Sequence, residues 1–324
     1  MELDRFRQLS PANYSRQSID EWSNRLVSVC GNFRSHPNAK DRMVTGTVNP
    51  MSAGGVDFVH VANDLDTIRR DYRDIRTDYG EYLFLLLQIE GECGIEQCGR
   101  QTPIAPGECA LVDSSKPSTF YFSGRFSNHI SVHLPRQIFF ADKSTRVEVA
   151  RRVEADDPMS SVLRALVAKL MKTASAGGRT AELRELLFNA TRQAFSSDRD
   201  ELPILADCAS RRIEIVQILI DRHLTEQNLT SQWLADRVGV SLRRLQEDFT
   251  ILGTTVNSLI RARRLHYARD QLTTIRQLPP PTIAEIAYKS GFNDISYFNR
   301  CFKKMFDCSP SSMIERVTTT EVRE

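Results

Sequence analysis

The sequence predicts an α+β protein in two unlike parts, a strand-rich N-terminal domain and an all-helical C-terminal domain. Three observations carry this expectation. Between residues 56 and 134, short apolar runs alternate with Gly, Pro, Asp and Ser turns, the pattern of a small barrel or sandwich. From 158 to 196 the apolar spacing lengthens to that of amphipathic helices. Within the last hundred residues, one helical unit occurs twice.

The strand runs are 56–61, 82–89, 93–97, 108–112, 119–122 and 130–134, which place a barrel at about 45–140. The longest apolar run, 82–89, has the length of a buried strand and falls well short of the ~18 residues that span a bilayer. No membrane partner is expected. Residues 1–14 are charged and contain no apolar signal segment, so a cytoplasmic protein is expected. Seven cysteines are scattered with no Cys-x-x-Cys pair, which fits reduced thiols and argues against a zinc site. Further along, Met159, Val162, Leu163, Leu166, Val167 and Leu170 form one helical stripe. Leu183, Leu186, Leu187, Ala190 and Ala194 form another, with a break at 176–178. Charged, Pro-containing residues 198–203 read as a linker closing a domain of 1–200.

The repeat lies in 211–318. Ala235 and Gly239 recur 52 residues later as Ala287 and Gly291, and Leu245 and Phe249 recur as Phe298 and Phe302. Each copy, about 229–250 and about 282–304, reads as two helices around a sharp turn. A small Ala lets the helices cross closely, and a Gly supplies the positive φ of the turn. Thr230 or Ser231 caps the first helix of one copy, and Thr282 that of the other. With Leu245, Phe249, Phe298 and Phe302 inside, the second helices turn other side chains outward. In the first copy these are Ser241, Arg243, Arg244 and Gln246; in the second, Asn293, Ser296, Asn299, Arg300 and Lys303. This is helix-turn-helix geometry, in which the second helix enters the major groove of double-stranded DNA. Those nine residues are the candidate DNA contacts.

Residues 254–272 predict a helix joining the copies, about 28 Å long at 1.5 Å per residue. Such a rod can hold two recognition helices about one DNA turn, ~34 Å, apart. Its Arg261, Arg263, Arg264 and Arg269 are candidates for phosphate contact, with a merely solvated face as the alternative. Net charge is +2 for the whole chain, yet residues 211–316 hold 16 Lys and Arg against 11 Asp and Glu. The positive excess sits where a phosphate-binding surface needs it.

Residues 213–316 resemble the DNA-binding domain of the AraC/XylS family. The resemblance rests on Ile283, Ala284, Glu285, Ile286 and Ala287, on Ser290, Gly291 and Phe292, on Ser296, Tyr297 and Phe298, and on Arg300, Phe302, Lys303, Phe306, Ser309 and Pro310. Glu247 with Asp248, and Met313 with Ile314, depart from the family pattern, the first pair placing carboxylates on a helix expected to face DNA. The resemblance implies operator DNA and RNA polymerase as partners, a small-molecule effector, and a homodimer through the helices of 158–196. Those helices packing back on the barrel is the alternative.

The segment 105–113, with Lys116 and Pro117, resembles the cupin-like sensor domain of such regulators. Together with Cys30 to Phe33, 111–117 and 129–136, it is most similar to FeaR-type regulators of aromatic-amine catabolism. A catabolic activator answering to an aromatic amine or aldehyde follows as the expectation. Phe58, Tyr82, Phe84, Phe120 and Phe122, with His129 and Ser131 as polar contacts, are the candidate effector residues. Periodicity does not settle which sheet face lines the interior. A competing reading is an enzyme fused to a DNA-binding domain, either a metal cupin or an alkyl-transfer repair protein. His129 and His133 share a strand face and His60 is the other nearby histidine, but no carboxylate follows at the required spacing. No nucleotide-binding or nucleophile-elbow motif is present. No catalysis, cofactor or metal is expected. The effector's signal is expected to travel through the helices of 158–224.

Overall fold

A computed structural model describes residues 14–38, 42–78, 81–141, 147–173, 180–196, 209–250, 252–274 and 281–314. The linker expected at 198–203 and the helix break at 176–178 lie outside the described residues. The chain divides into two compact units, Met1–Leu134 with Val147–Ser196, and Pro135–Arg146 with Ser197–Glu324.

The first unit opens with β1 (Arg16–Ser18), α1 (Ile19–Cys30), β2 (Arg34–His36), β3 (Met43–Thr45), β4 (Thr47–Ala53), β5 (Val56–Asn63) and β6 (Thr67–Arg70). There follow α2 (Tyr72–Arg76), β7 (Tyr82–Glu90), β8 (Cys93–Gln97), β9 (Arg100–Ile104), β10 (Cys109–Asp113), β11 (Ser118–Tyr121) and β12 (Ser127–Pro135). After α3 (Arg136–Ala141), which belongs to the second unit, come β13 (Arg152–Val153), α4 (Pro158–Thr173) and α5 (Thr180–Ala194).

Two sheets share one core. The larger has the order β13-β10-β7-β12-β5-β4, the smaller β2-β6-β11-β8-β9. Central β7 is buried on both faces, which is why it reads as a continuous apolar run. One face meets the shared core through Phe84 and Leu86. The outer side of the larger sheet is covered by α4 and α5. Ser160 Oγ donates to the Gly107 carbonyl at 2.6 Å, and Arg184 Nη1 to the Gly54 carbonyl at 3.4 Å. Leu163, Val167, Leu170 and Leu187 are wholly buried. The helices therefore pack back on the barrel, while Val162 and Leu186 stay exposed. Pro50 sits in β4, the outermost strand, where a residue without an amide proton breaks no ladder between neighbours.

The second unit contains α3, then α6 (Ala209–His223), α7 (Ser231–Arg237), α8 (Leu242–Thr250), α9 (Val256–Thr274), α10 (Ile283–Lys289) and α11 (Ile295–Phe306). It has two cores. Val216, Leu219, Ile220, Leu234, Leu245 and Phe249 make the first; Ile286, Ala287, Phe292, Phe298 and Phe302 make the second. The linking helix α9 serves both, giving Val256 and Ile260 to the first and Leu265, Ala268 and Leu272 to the second. Its apolar side therefore turns midway along its length.

Candidate DNA-binding surface and effector cavity

Each repeat forms a helix-turn-helix from local rules. Thr230 accepts from the Trp233 amide at the start of α7, and Thr282 forms a capping box with Glu285 at the start of α10. Gly239 and Gly291 take the turns at φ of 71° and 84°. They differ in what surrounds them. A Cβ on Gly239 would meet open space, whereas one on Gly291 would lie 2.6 Å from Arg264 Nε. The second helices are capped by Ser241, whose hydroxyl accepts from the Arg244 amide, and by Asp294, which accepts from the Tyr297 amide. Asn293 leaves capping to its neighbour.

Ser241, Arg243, Arg244 and Gln246 are exposed along α8, as are Asn293, Ser296, Asn299, Arg300 and Lys303 at and along α11. The two surfaces differ in charge. Arg243 Nε lies 3.1 Å from Glu247 on the same face, and Arg244 lies 3.7 Å from Glu247 and 3.6 Å from Asp248. No ion pair among the described residues engages Arg300, Lys303 or the adjacent Lys304. A helix with three uncommitted cations attracts phosphate more strongly than one whose arginines face their own carboxylates.

Asp248 has a different place from the one its sequence position suggests. It is buried and accepts two hydrogen bonds from Arg212 of α6, at 2.7 and 2.9 Å. That partner holds its carboxyl below the usual range. Asp248 thus ties α8 to α6, and only Glu247 stands on the outer surface.

The linking-helix arginines are mostly structural. Arg263 is buried, 2.8 Å from Asp221 and donating to the Gln217 carbonyl. Arg264 donates to the carbonyls of Leu224 and Glu226, and Arg269 pairs with buried Asp270. Arg261 donates to the hydroxyl of exposed Tyr297 on α11. The expectation that these four meet phosphates is corrected for Arg263, Arg264 and Arg269. An α9 shared by two cores has little outward face to give them.

In the first unit, a small cavity opens inside the shared core. It gathers Phe84, Phe120, Phe122, His129 and Ser131 from the sequence-derived set. Phe58 is not among its walls, because it alternates with Val59 and Val61 and faces the other side of β5. Tyr82, half-buried at the start of β7, stacks on Phe84 with ring centroids 6.2 Å apart but stays outside the lining. Leu26, Cys30 and Phe33 close the cavity from α1 and the turn after it, and sequence reasoning missed them. Their signal was present: Trp22, Leu26 and Cys30 recur at four-residue intervals, one face of a helix. Ile68 was missed because β6 is a four-residue strand carrying two arginines.

His129 is buried, and its Nδ1 has no hydrogen-bond partner among the described residues. Burial, with a smaller contribution from His60, pushes it down to about 3. His133, on the same strand face, is likewise pushed down to about 3, and its Nε2 lies 3.7 Å from Cys30 Sγ. Burial pushes the Cys30 thiol up to about 12. All three are uncharged near neutral pH. His60 turns to the other face of the sheet, where it meets Asn128 at 2.8 Å and the Tyr14 hydroxyl at 3.3 Å. Among the described residues no cluster of three or more His, Cys, Asp or Glu side chains is arranged to hold a metal ion. No helix among them is long and apolar enough to cross a membrane.

Comparison with known proteins accords with this architecture. The helix-turn-helix domain family matches residues 234–316, and the AraC-binding-like domain family matches 22–197. The transcriptional activator NphR of Rhodococcus sp is 26% identical over 272 residues, covering 79% of this chain and 78% of the relative. The transcriptional activator RhrA of Rhizobium meliloti (strain 1021) is 28% identical over 123 residues, 35% of this chain and 38% of that protein. The crystal structure of the AraC-like transcriptional activator CuxR has the same fold, with a TM-score of 0.52 at 14% identity over 78% of this chain and 93% of that one. A β-rich AraC-binding-like domain over more than half the chain, followed by two helix-turn-helix units, makes this protein a member of the AraC family of transcriptional regulators.

Proposed function

We propose that this protein is an effector-responsive activator that binds operator DNA through α8 and α11 and senses a small aromatic molecule in the cavity of its first unit. One observation carries the reading: two helices with exposed polar and basic faces share the chain with a cavity whose wall includes a buried histidine with an unpartnered ring nitrogen. Activation is favoured by the names of the relatives NphR and RhrA, both transcriptional activators. Control of aromatic amine or aldehyde catabolism rests on the FeaR-type resemblance and on four phenylalanines in the cavity wall. The cavity is small, which suits an effector no larger than one ring. Homodimerisation through α4 and α5 remains part of the proposal, with exposed Val162 and Leu186 as its apolar contribution.

The test begins with selection of preferred DNA from a random pool by the full-length chain. Footprinting should show two protected segments about one helical turn, ~34 Å, apart. In vitro transcription from a promoter placed beside that site should rise with polymerase and a single-ring effector. Binding that ignores sequence at every salt concentration would reject the reading.

A further inference from the structure

Among the described residues, the walls of the cavity contain no lysine, arginine, aspartate or glutamate. Their polar groups are the Cys30 thiol, the His129 imidazole and the Ser131 hydroxyl, and the rest are aliphatic or aromatic. Burial holds both the thiol and the imidazole in their neutral forms. An ammonium or a carboxylate entering this space gives up its hydration and finds no opposite charge in the wall itself, since the guanidinium stacked on Phe33, that of Arg70, is already paired with Asp78. A neutral ring loses little on entry and gains contact with Phe84, Phe120 and Phe122. One buried polar atom also lacks a partner: Nδ1 of His129, a ring that itself forms part of the wall. An unmade hydrogen bond in a buried site favours whichever ligand can make it.

We infer that the cavity selects uncharged single-ring molecules bearing one hydrogen-bonding group, which His129 Nδ1 engages, and rejects the ammonium and carboxylate forms of the same skeleton. This rests on the proposal that the cavity is the effector site, and it narrows the effector from aromatic compounds in general to their neutral members: aldehydes, alcohols, phenols and amides. An amine-catabolism regulator built this way responds to a neutral intermediate and ignores the charged amine.

Four probes with a common skeleton decide the matter: 2-phenylethanol, 2-phenylethylamine, phenylacetate and ethylbenzene. Their affinities for the full-length protein are measured by calorimetry near pH 7.5, where the amine is cationic and the acid anionic. The alcohol should bind at least tenfold tighter than either charged probe. His129→Phe should weaken the alcohol at least fivefold and leave ethylbenzene, which has no polar group, within twofold. Charged probes that bind as well as the alcohol would overturn the inference while leaving the cavity as the effector site. Equal loss of alcohol and ethylbenzene in His129→Phe would reduce His129 to a packing role and also overturn it. Failure of all four probes, ethylbenzene included, to bind would reject the effector site itself. The charge comparison needs only the unaltered protein, so it stands even where His129→Phe does not fold.

Discussion

Of the two adjacent carboxylates on α8, Asp248 points inward to Arg212 and Glu247 outward to Arg243. The same charge at neighbouring positions therefore has opposite consequences. Neutralising Asp248 takes from the buried Arg212 guanidinium its matched carboxylate, and breaking a buried ion pair typically costs roughly 3–5 kcal/mol. Asp248→Asn should lower the stability of the helical unit by that order. Because the folded carboxyl titrates below its usual value, the pair's contribution is complete above the ordinary carboxylate pKa and is lost as acid protonates Asp248. The Asn variant should therefore differ most from the parent near neutrality and converge with it in acid. Glu247→Ala removes only its exposed pairs with Arg243 and Arg244, worth about 1 kcal/mol or less to stability. It frees Arg243 and takes a negative charge from the surface proposed to face phosphates. Operator affinity should rise a few-fold, with a salt dependence steeper by up to about one phosphate contact, a log–log slope change of ~0.9. Denaturant melts paired with salt titrations of DNA binding measure both effects. Weaker DNA binding by Glu247→Ala would instead assign the Arg243–Glu247 pair to base recognition, with the carboxylate accepting from a cytosine amine.

At the scale of elements, legibility follows how much each segment repeats a simple period. The helix-turn-helix units were readable because caps, a small crossing residue, a turn glycine and paired core residues recur at matched spacing. The central strands β5, β7, β8, β10, β11 and β12 were readable because each buries at least half of its side chains. Strands β4, β6 and β9 were not: they carry Pro50, Arg69 with Arg70, and Arg100 with Pro103, and backbone pairing alone defines them. Helix α1 showed its period but lay outside the expected barrel, and with it went half of the cavity's unexpected wall. The arginines of α9 misled because charge on a helix beside DNA looks functional, while only packing tells which way it points. Arg263 and Lys303 should separate the two roles. Arg263→Ala empties the space of a wholly buried side chain, leaves Asp221 with Arg136 alone and removes the donor to the Gln217 carbonyl, so it should destabilise the helical unit by a few kcal/mol. Lys303→Ala should leave its melting unchanged yet reduce the salt slope of operator binding by about 0.9. A melting loss for Lys303→Ala as large as that for Arg263→Ala would refute the distinction.

For the whole molecule, the route of the signal follows from where the chain passes between its units. The expected route was the helices of 158–224. A shorter covalent one exists: β12 carries His129 and Ser131 in the cavity wall and runs, at Pro135, directly into α3 of the other unit. Arg136, the first residue of α3, is wholly buried and donates to both oxygens of Asp221 at 3.1 and 2.9 Å. Asp221 in turn pairs with Arg263 of the linking helix, so the end of a cavity strand is anchored in the frame that spaces the recognition helices. A ligand shifts a conformational equilibrium only by its differential affinity for the two states, and linkage makes the effect reciprocal. Saturating operator should therefore change effector affinity by the same factor by which saturating effector changes operator affinity. In Arg136→Met, Asp221 keeps Arg263 as a partner, so the fold should survive. Both intrinsic affinities should persist while the mutual factor falls toward one. Calorimetric titration of effector with and without operator, for the parent and the variant, measures all four affinities. A parent protein whose effector affinity ignores operator, yet whose transcription still answers to effector, would place the signal on polymerase recruitment and remove α3 from its path.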